Sequence, residues 1–217
     1  MGLNNASPNA PQEGVLRWRY IEDDVYKVRD LDVYLSRGLG FQPLESWRSW
    51  AVQEGLEFIA PNPVIYDPAV KTGTVSSFAA TLTFSMYFPF VLGAMYGTAN
   101  ITYAGTWETH PTIIITGPAA GVYVENRSTG NFLRFNYVIS AGEVVTITTA
   151  YNNRTITNGA GQNLLPYLSD DSTFGEFTLQ PDPIITGGVN TIDVYTDGAV
   201  AGTTTIVLSY LNRYYGI

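Results

Sequence analysis

Short runs of β-branched or alternating residues, separated by turn residues, occupy most of this 217-residue chain. The clearest run is Thr112–Thr116, whose sequence TIIIT favours a strand because stiff β-branched side chains fit a pleated surface. Gly117-Pro118 ends that run, and the polar cluster 126–130 predicts a turn after the next strand. The same rhythm predicts strands at 99–106, 112–116, 121–125, 131–138, 144–149, 155–157, 174–179, 191–195 and 204–210. We therefore expect an all-β chain, with at most one helical turn at 163–168.

The N-terminal part predicts a smaller sheet. A predicted strand at 15–20 comes before the acidic turn 22–24, and two extended segments, 25–28 and 31–35, come after it. This order indicates a hairpin. Residues 50–59 predict one more strand. So few strands form a sheet that is marginal by itself. The apolar run 86–92 contains Pro89, which excludes a central strand, so we expect it in the core, between domains or between subunits.

Pro and Gly residues, which mark turns and loops, divide the chain into four predicted segments. They are a flexible tail at 1–13, a partial N-terminal β-domain at 14–68, a connecting strand and linker at 69–98, and a C-terminal β-sandwich at 99–217.

Composition and charge narrow the classes of function. The formal net charge of −8, without any cluster of Lys or Arg, argues against binding to nucleic acid. No segment reaches the ~18–20 apolar residues that a membrane span needs, so we expect no membrane insertion. The polar N-terminus lacks the basic and apolar regions of a signal peptide, which predicts synthesis in the cytoplasm.

Candidate catalytic chemistry is sparse. The chain has no cysteine, which excludes disulfides, thiolate metal sites and thiol nucleophiles. The single histidine, His110, precedes a proline at a strand entry and is expected to be a turn residue rather than a general base. A hydrolase would need two carboxylates in one deep pocket, whereas acidic pairs such as Asp23-Asp24 are typical of turns. We expect no catalytic residue, metal or cofactor.

Several short motifs share an order and spacing that cover about residues 15–217. They are the strand 16–20, LEFIAPNP at 56–63, Tyr66-Asp67-Pro68, Phe88-Pro89-Phe90, Glu108 to Pro111, Gly117-Pro118, 124–126, 129–130, 141–143, the loop 159–163, 177–179, GVNTI at 188–192 and Arg213-Tyr214. In this order they resemble the phage distal tail (Dit-like) proteins of long, flexible-tailed phages.

The resemblance implies a fold and a role. Such proteins form rings, usually hexameric, in the tail tip between the tail tube and the host-binding parts. A barrel-like N-terminal domain lies in the ring, and a galectin-like sandwich lies outside it. We therefore expect a non-enzymatic virion protein whose partners are copies of itself and other tail proteins. This chain resembles the family without its first N-terminal strands: either the N-terminus is truncated, or a neighbouring subunit supplies the missing edge. The candidate assembly contacts are Trp18, Trp50, Phe88 and Phe90.

A carbohydrate-binding sandwich is the alternative function. Sugar faces stack on exposed aromatic rings, so the candidate contacts for a host-surface glycan are Trp107, Tyr123, Tyr151 and Tyr167. The same four side chains would also suit the core or subunit contacts, because aromatic residues dominate burial in both places.

Overall fold

The computed structural model describes residues 13–37, 57–75, 79–80 and 94–215 of the chain. The strands are β1 Glu13–Glu22, β2 Val25–Arg37, β3 Glu57–Ile59, β4 Ile65–Tyr66, β5 Lys71–Val75, β6 Ala79–Ala80, β7 Ala94–Thr102, β8 Thr112–Thr116, β9 Ala119–Asn126, β10 Asn131–Ile139, β11 Val144–Thr148, β12 Thr155–Asn158, β13 Val189–Asp197, β14 Thr205–Tyr210 and β15 Arg213–Tyr214. Two single 3-10 turns, Leu165–Tyr167 and Thr186–Gly188, are the helical elements of this part of the chain. The all-β prediction is confirmed.

The described residues form two compact units. One runs up to Pro68 and includes Tyr215, and the other is Ala69–Tyr214. The first unit is built on the predicted hairpin, in which β1 pairs with β2 along its whole length, from Glu13↔Tyr34 to Glu22↔Val25. Asp23 and Asp24 both have positive φ, 51° and 58°, which gives the two-residue turn whose twist matches the strands on either side.

Strand β2 is longer than predicted, since it continues without a break through Asp30 to Arg37. Its second half pairs with β3, for example through Tyr34↔Ile59, and with β4 through Asp30↔Tyr66. The predicted strand 50–59 is present as β3 over its last three residues, and its first part lies outside the described residues.

The second unit is a sandwich of two antiparallel sheets. Among the described strands, one sheet has the order β10-β9-β13-β7-β6 and the other has the order β12-β11-β8-β14-β5. The segment 69–98, which the sequence predicts as a connection, supplies β5 to one sheet and the first part of β7 to the other. These strands are part of the unit that begins at Ala69. The strand predicted at 99–106 instead covers Ala94–Thr102.

Alternate residues of both sheets build one core. On β8, Ile113 and Ile115 are completely buried, whereas Thr112 and Thr116 face outward. The opposite sheet contributes, among others, Val122 and Val124 on β9 and Ile192 and Val194 on β13. The period-two burial follows from the pleat, which sends successive side chains to opposite faces.

The strand predicted at 174–179 is wrong. This segment contains one turn, at 174–176, and its one ladder contact is an isolated bridge between Leu179 and Thr109. Phe177 and Leu179 are buried, which explains the strand-like alternation. Side chains from other elements, however, bind its carbonyl groups: Asn131 donates to Glu176 O at 2.8 Å and Arg154 donates to Gly175 O at 2.9 Å.

Candidate assembly and binding surfaces

Trp18 lies on β1, where its side chain is half-buried. Its partner across the hairpin is Arg29, whose guanidinium lies over the ring of Tyr20, 5.5 Å from the ring centroid. Leu16, Trp18 and Tyr20 share one face because alternate residues of a strand point the same way. The other predicted assembly contacts, Trp50, Phe88 and Phe90, lie outside the described residues.

An ion pair and a hydrogen bond fasten the middle of the hairpin. Nε and Nη2 of Arg17 donate to the two carboxylate oxygens of Asp30, each at 2.7 Å, and Asp30 is 3% exposed. The hydrogen bonds from Arg17 lower the pKa of Asp30. The hydroxyl of Tyr66 on β4 donates to Asp32 at 2.7 Å, and burial together with this carboxylate raises the pKa of Tyr66. These contacts connect β1 and β4 to the middle of β2.

The tip of the hairpin exposes apolar side chains. Ile21 and Tyr26 face each other across the two strands and are 60% and 76% exposed, and Val25 beside the turn is 57% exposed. Among the described strands, β3 and β4 pair with β2 only from Asp30 onward, so the pairs from Trp18↔Arg29 to the turn form a two-stranded ribbon. A ribbon of two strands is marginal in water, and exposed apolar groups on it indicate an interaction surface.

A row of aromatic side chains crosses the outer face of the sheet that contains β13. The strand registers place Tyr96, Tyr195 and Tyr123 side by side on β7, β13 and β9. Ring centroids are 5.0 Å apart for Tyr96 and Tyr195 and 5.9 Å apart for Tyr195 and Tyr123. Phe132 on β10 stacks on Tyr123 at 5.3 Å with an interplanar angle of 27°. We call Tyr96, Tyr195, Tyr123 and Phe132 the aromatic row.

A buried carboxylate fixes one end of this row. Asp193 lies two residues before Tyr195 on β13 and therefore on the same outer face, and it is 3% exposed. Its Oδ1 accepts a hydrogen bond from the hydroxyl of Tyr96 at 2.9 Å, while its Oδ2 lies 3.8 Å from Nη1 of Arg127. The bond to Asp193 raises the pKa of Tyr96, so this phenol stays protonated as the donor.

An arginine occupies the other end. Arg134 faces Tyr123 across β9 and β10, and its guanidinium carbon lies 5.7 Å from the centroid of that ring and 6.0 Å from that of Phe132. The same guanidinium donates to Asp171 at 2.9 Å. The cation over these two rings is therefore already paired with a carboxylate.

The remaining predicted glycan contacts lie on other elements. Trp107 lies before β8 and is 39% exposed. Tyr151 lies in the turn between β11 and β12, is 71% exposed, and has the guanidinium carbon of Arg154 at 6.0 Å from its ring centroid. Tyr167, in the 3-10 turn, meets the ring of Tyr137 edge-on at 4.9 Å. Of the four predicted residues, Tyr123 belongs to the aromatic row, whose other members the sequence interpretation missed.

The environment of His110 does not form a triad. The residue is half-buried, and its Nδ1 has no hydrogen-bond partner among the described residues. Burial lowers the pKa of its imidazole. A Ser-His-acid triad needs a carboxylate at that nitrogen to orient the ring. The described part of the chain also contains no group of three or more His, Asp or Glu side chains that could hold a metal ion.

The antiparallel sandwich and the hairpin unit, which exposes apolar side chains, define an all-β protein. The family model for the siphovirus-type tail component, C-terminal domain, matches residues 104–214, just over half of the chain. The chain belongs to this family and is a Dit-like phage distal tail protein, as its sequence resemblance implied. No curated protein and no solved structure matches the chain.

The family match covers most of the sandwich. Its first residue, 104, follows the end of β7, so the match contains β8–β15 and the aromatic row apart from Tyr96. Membership establishes a structural component of the phage tail, carried in the virion. Among the described residues, no helix is long and apolar enough to cross a membrane.

Proposed function

We propose that copies of this chain close into a ring in the baseplate of the phage tail, where the ring joins the tail tube to the host-recognition parts. Membership of the tail component family supports the place in the tail. The exposed tip of the hairpin supports self-assembly, and it is the observation that carries the proposal. Six subunits is the usual number in the proteins that the chain resembles, and we propose the same number here.

A ring imposes a condition on its contacts. A ring of more than two subunits needs a heterologous interface, in which one surface of a subunit meets a different surface of its neighbour. Among the described strands, β1 pairs with β2 alone, so a neighbouring chain can add a strand or pack its side chains along the hairpin. The register leaves Ile21, Val25 and Tyr26 at the end of the hairpin, where they would pack against the neighbour.

Trp18 and three aromatic residues outside the described part of the chain are the proposed anchors. Trp18 lies within the two-stranded part of the hairpin, beside Arg29. Tryptophan, tyrosine and arginine carry a large share of the binding energy at protein interfaces. Trp50, Phe88 and Phe90 remain proposed contacts on the strength of the sequence.

Substitutions at the tip test the ring. We expect a variant that combines Ile21→Asp and Tyr26→Asp to be smaller than the wild-type chain in light scattering, because two carboxylates would be buried in the interface. Tyr151→Asp is the matched control, since Tyr151 is equally exposed but lies in the sandwich. Its mass should equal that of the wild type. A wild-type ring that survives the double substitution with unchanged mass would overturn the hairpin as the assembly surface.

A further inference from the structure

We propose that the outer face of the sheet β10-β9-β13-β7 is a binding site for a neutral glycan, which lies along the aromatic row. This site is separate from the hairpin surface and does not depend on ring formation.

The arrangement of the rings suits the apolar faces of sugar rings. Tyr195 is 42% exposed, and the other three members of the row are half-buried, so aromatic surface is accessible on all four strands. Four neighbouring strands carry the row, and at about 4.8 Å between strands it extends over roughly 14 Å. That length accommodates several linked pyranose units rather than one.

Polar side chains lie next to the rings, as hydroxyl recognition requires. The registers place Thr98, Asp193 and Glu125 in the next row across the same three strands, with Phe132 after them on β10. Thr98 is exposed and Glu125 is half-exposed. The Arg127 side chain is 70% exposed and adds N–H donors. Small-ligand sites combine an apolar platform with a few such polar groups that fix orientation.

Asp193 positions the platform rather than the ligand. The carboxylate is buried and holds the hydroxyl of Tyr96 at 2.9 Å, which fixes the orientation of that ring before a ligand arrives. A fixed ring loses little conformational freedom on binding, and this favours affinity. Asp193 therefore acts on the ligand through Tyr96.

The geometry excludes a quaternary ammonium ligand. An aromatic cage needs open space between its rings for the cation, whereas these rings contact one another at centroid distances of 5.0, 5.9 and 5.3 Å. Arg134 already lies over Tyr123 and Phe132.

The charges around the row also argue against an anionic ligand. Arg127 lies 3.8 Å from the carboxylate of Asp193, and Arg134 lies 2.9 Å from that of Asp171. Each positive charge is therefore compensated by a neighbouring carboxylate. A protein partner is less well matched, because the strongest protein contacts are anchors that fill pockets, whereas these rings lie side by side on the outer face of a sheet. An uncharged saccharide fits both the rings and the charge balance.

A glycan array probed with the full-length chain tests the site. The array carries neutral oligosaccharides of glucose, galactose, N-acetylglucosamine and rhamnose beside sialylated and phosphorylated ones, and calorimetry measures each hit. We expect binding to at least one neutral oligosaccharide. Tyr195→Ala and Tyr123→Ala should each weaken it about tenfold or more, because each removes part of the aromatic surface of the row.

Two variants control for folding and for non-specific loss. Tyr195→Phe keeps the ring and should retain binding close to that of the wild type, and Ile184→Ala removes an exposed apolar side chain outside the row and should change nothing. The proposal is overturned if no neutral oligosaccharide binds or if only charged ones do. It is equally overturned if Tyr195→Ala and Tyr123→Ala bind like the wild type, or if Ile184→Ala loses as much. The oligomeric mass of the same samples shows whether the ring is intact, so the two proposals fail separately.

Discussion

The side-chain amide of Asn126 donates a hydrogen bond to Oδ1 of Asn190 over 3.0 Å, and both residues are completely buried. Asn126 also donates to the carbonyl of Thr178 at 2.9 Å. Asn190 accepts from the backbone N–H of Gln180 at 2.9 Å and donates to the carbonyls of Gln180 and Gly188. The two amides therefore form hydrogen bonds with backbone groups of the segment 178–188, which lies before β13. These bonds connect the segment to β9 and β13.

Removal of one amide should destabilise the sandwich. Asn190→Ala leaves the half-buried N–H of Gln180 and the buried amide of Asn126 each without one hydrogen-bond partner, and an unsatisfied buried group costs about 1–3 kcal/mol. We expect a lower midpoint of urea unfolding, followed by near-ultraviolet circular dichroism. Asn136→Ala, an exposed position on β10, is the control and should unfold like the wild type. Equal midpoints for the two variants would contradict the role of the amide pair.

Two tyrosines in ring contact should respond differently to loss of the hydroxyl. Tyr103 and Tyr210 meet edge-on with centroids 5.8 Å apart. The hydroxyl of Tyr103 donates to the carbonyl of Trp107 at 2.5 Å and accepts from the backbone N–H of Arg213 at 2.9 Å. We expect Tyr103→Phe to lower the free energy of unfolding by about 1–3 kcal/mol. Tyr210→Phe keeps the ring contact and should have a much smaller effect; the reverse order in thermal melts would refute this assignment.

One glycine is required by close backbone approach. A Cβ on Gly117 would overlap the carbonyl oxygen of Ser140 and lie 2.9 Å from that of Ile139, whereas one on Gly159 would meet only the carbonyl of Val144 at 4.0 Å. We expect Gly117→Ala to destabilise by about 1–3 kcal/mol, the usual cost of overpacking. Gly159→Ala should be tolerated. Chemical denaturation of both variants decides the point, and a Gly117→Ala protein as stable as the Gly159→Ala protein would disprove it.

The pair of Arg17 and Asp30 predicts a pH dependence in the N-terminal unit. The folded pKa of Asp30 lies below the ordinary value of about 3.9 that the unfolded chain adopts. The stabilisation is therefore present above about pH 4 and is lost as the pH falls through the folded pKa. Titration of the Asp30 carboxyl carbon by nuclear magnetic resonance should show the lowered value.

Substitution of either of two arginines on β1 tests the cause of this shift. Arg17→Met removes both hydrogen bonds and leaves a buried carboxylate, so the pKa of Asp30 should rise above its ordinary value. Arg19→Met, an exposed position on the same face of the strand, should leave the titration of Asp30 unchanged. If Arg17→Met has no effect on that titration, the ion pair does not set the pKa.

The sequence predicted most strands of the sandwich, because their patterns are local. Thr112–Thr116 is a strand with the predicted bounds, and the strands predicted at 144–149 and 155–157 are present as β11 and β12, which pair as a hairpin. The segment 174–179 has the same alternation of apolar and polar residues, but it pairs with another segment only at the isolated bridge of Leu179. Its buried Phe177 and Leu179 give a strand-like pattern, while side chains distant in sequence satisfy its backbone.

The aromatic row was not predictable because it depends on strand order. Tyr96 and Tyr195 come from β7 and β13, which are far apart in sequence and become neighbours only through the sheet topology. Alternation alone predicts that Tyr195 lies opposite the buried Val194, on the outer face. It does not predict which ring lies beside it. The sequence pattern therefore predicted Tyr123 as a candidate contact but not the three rings around it.

Light scattering of the purified wild-type chain measures the central claim most directly. If the hairpin assembles subunits as proposed, light scattering will show one discrete species with the mass of a hexamer. That mass will not change over a wide range of protein concentration. A monomer at every concentration would contradict the ring.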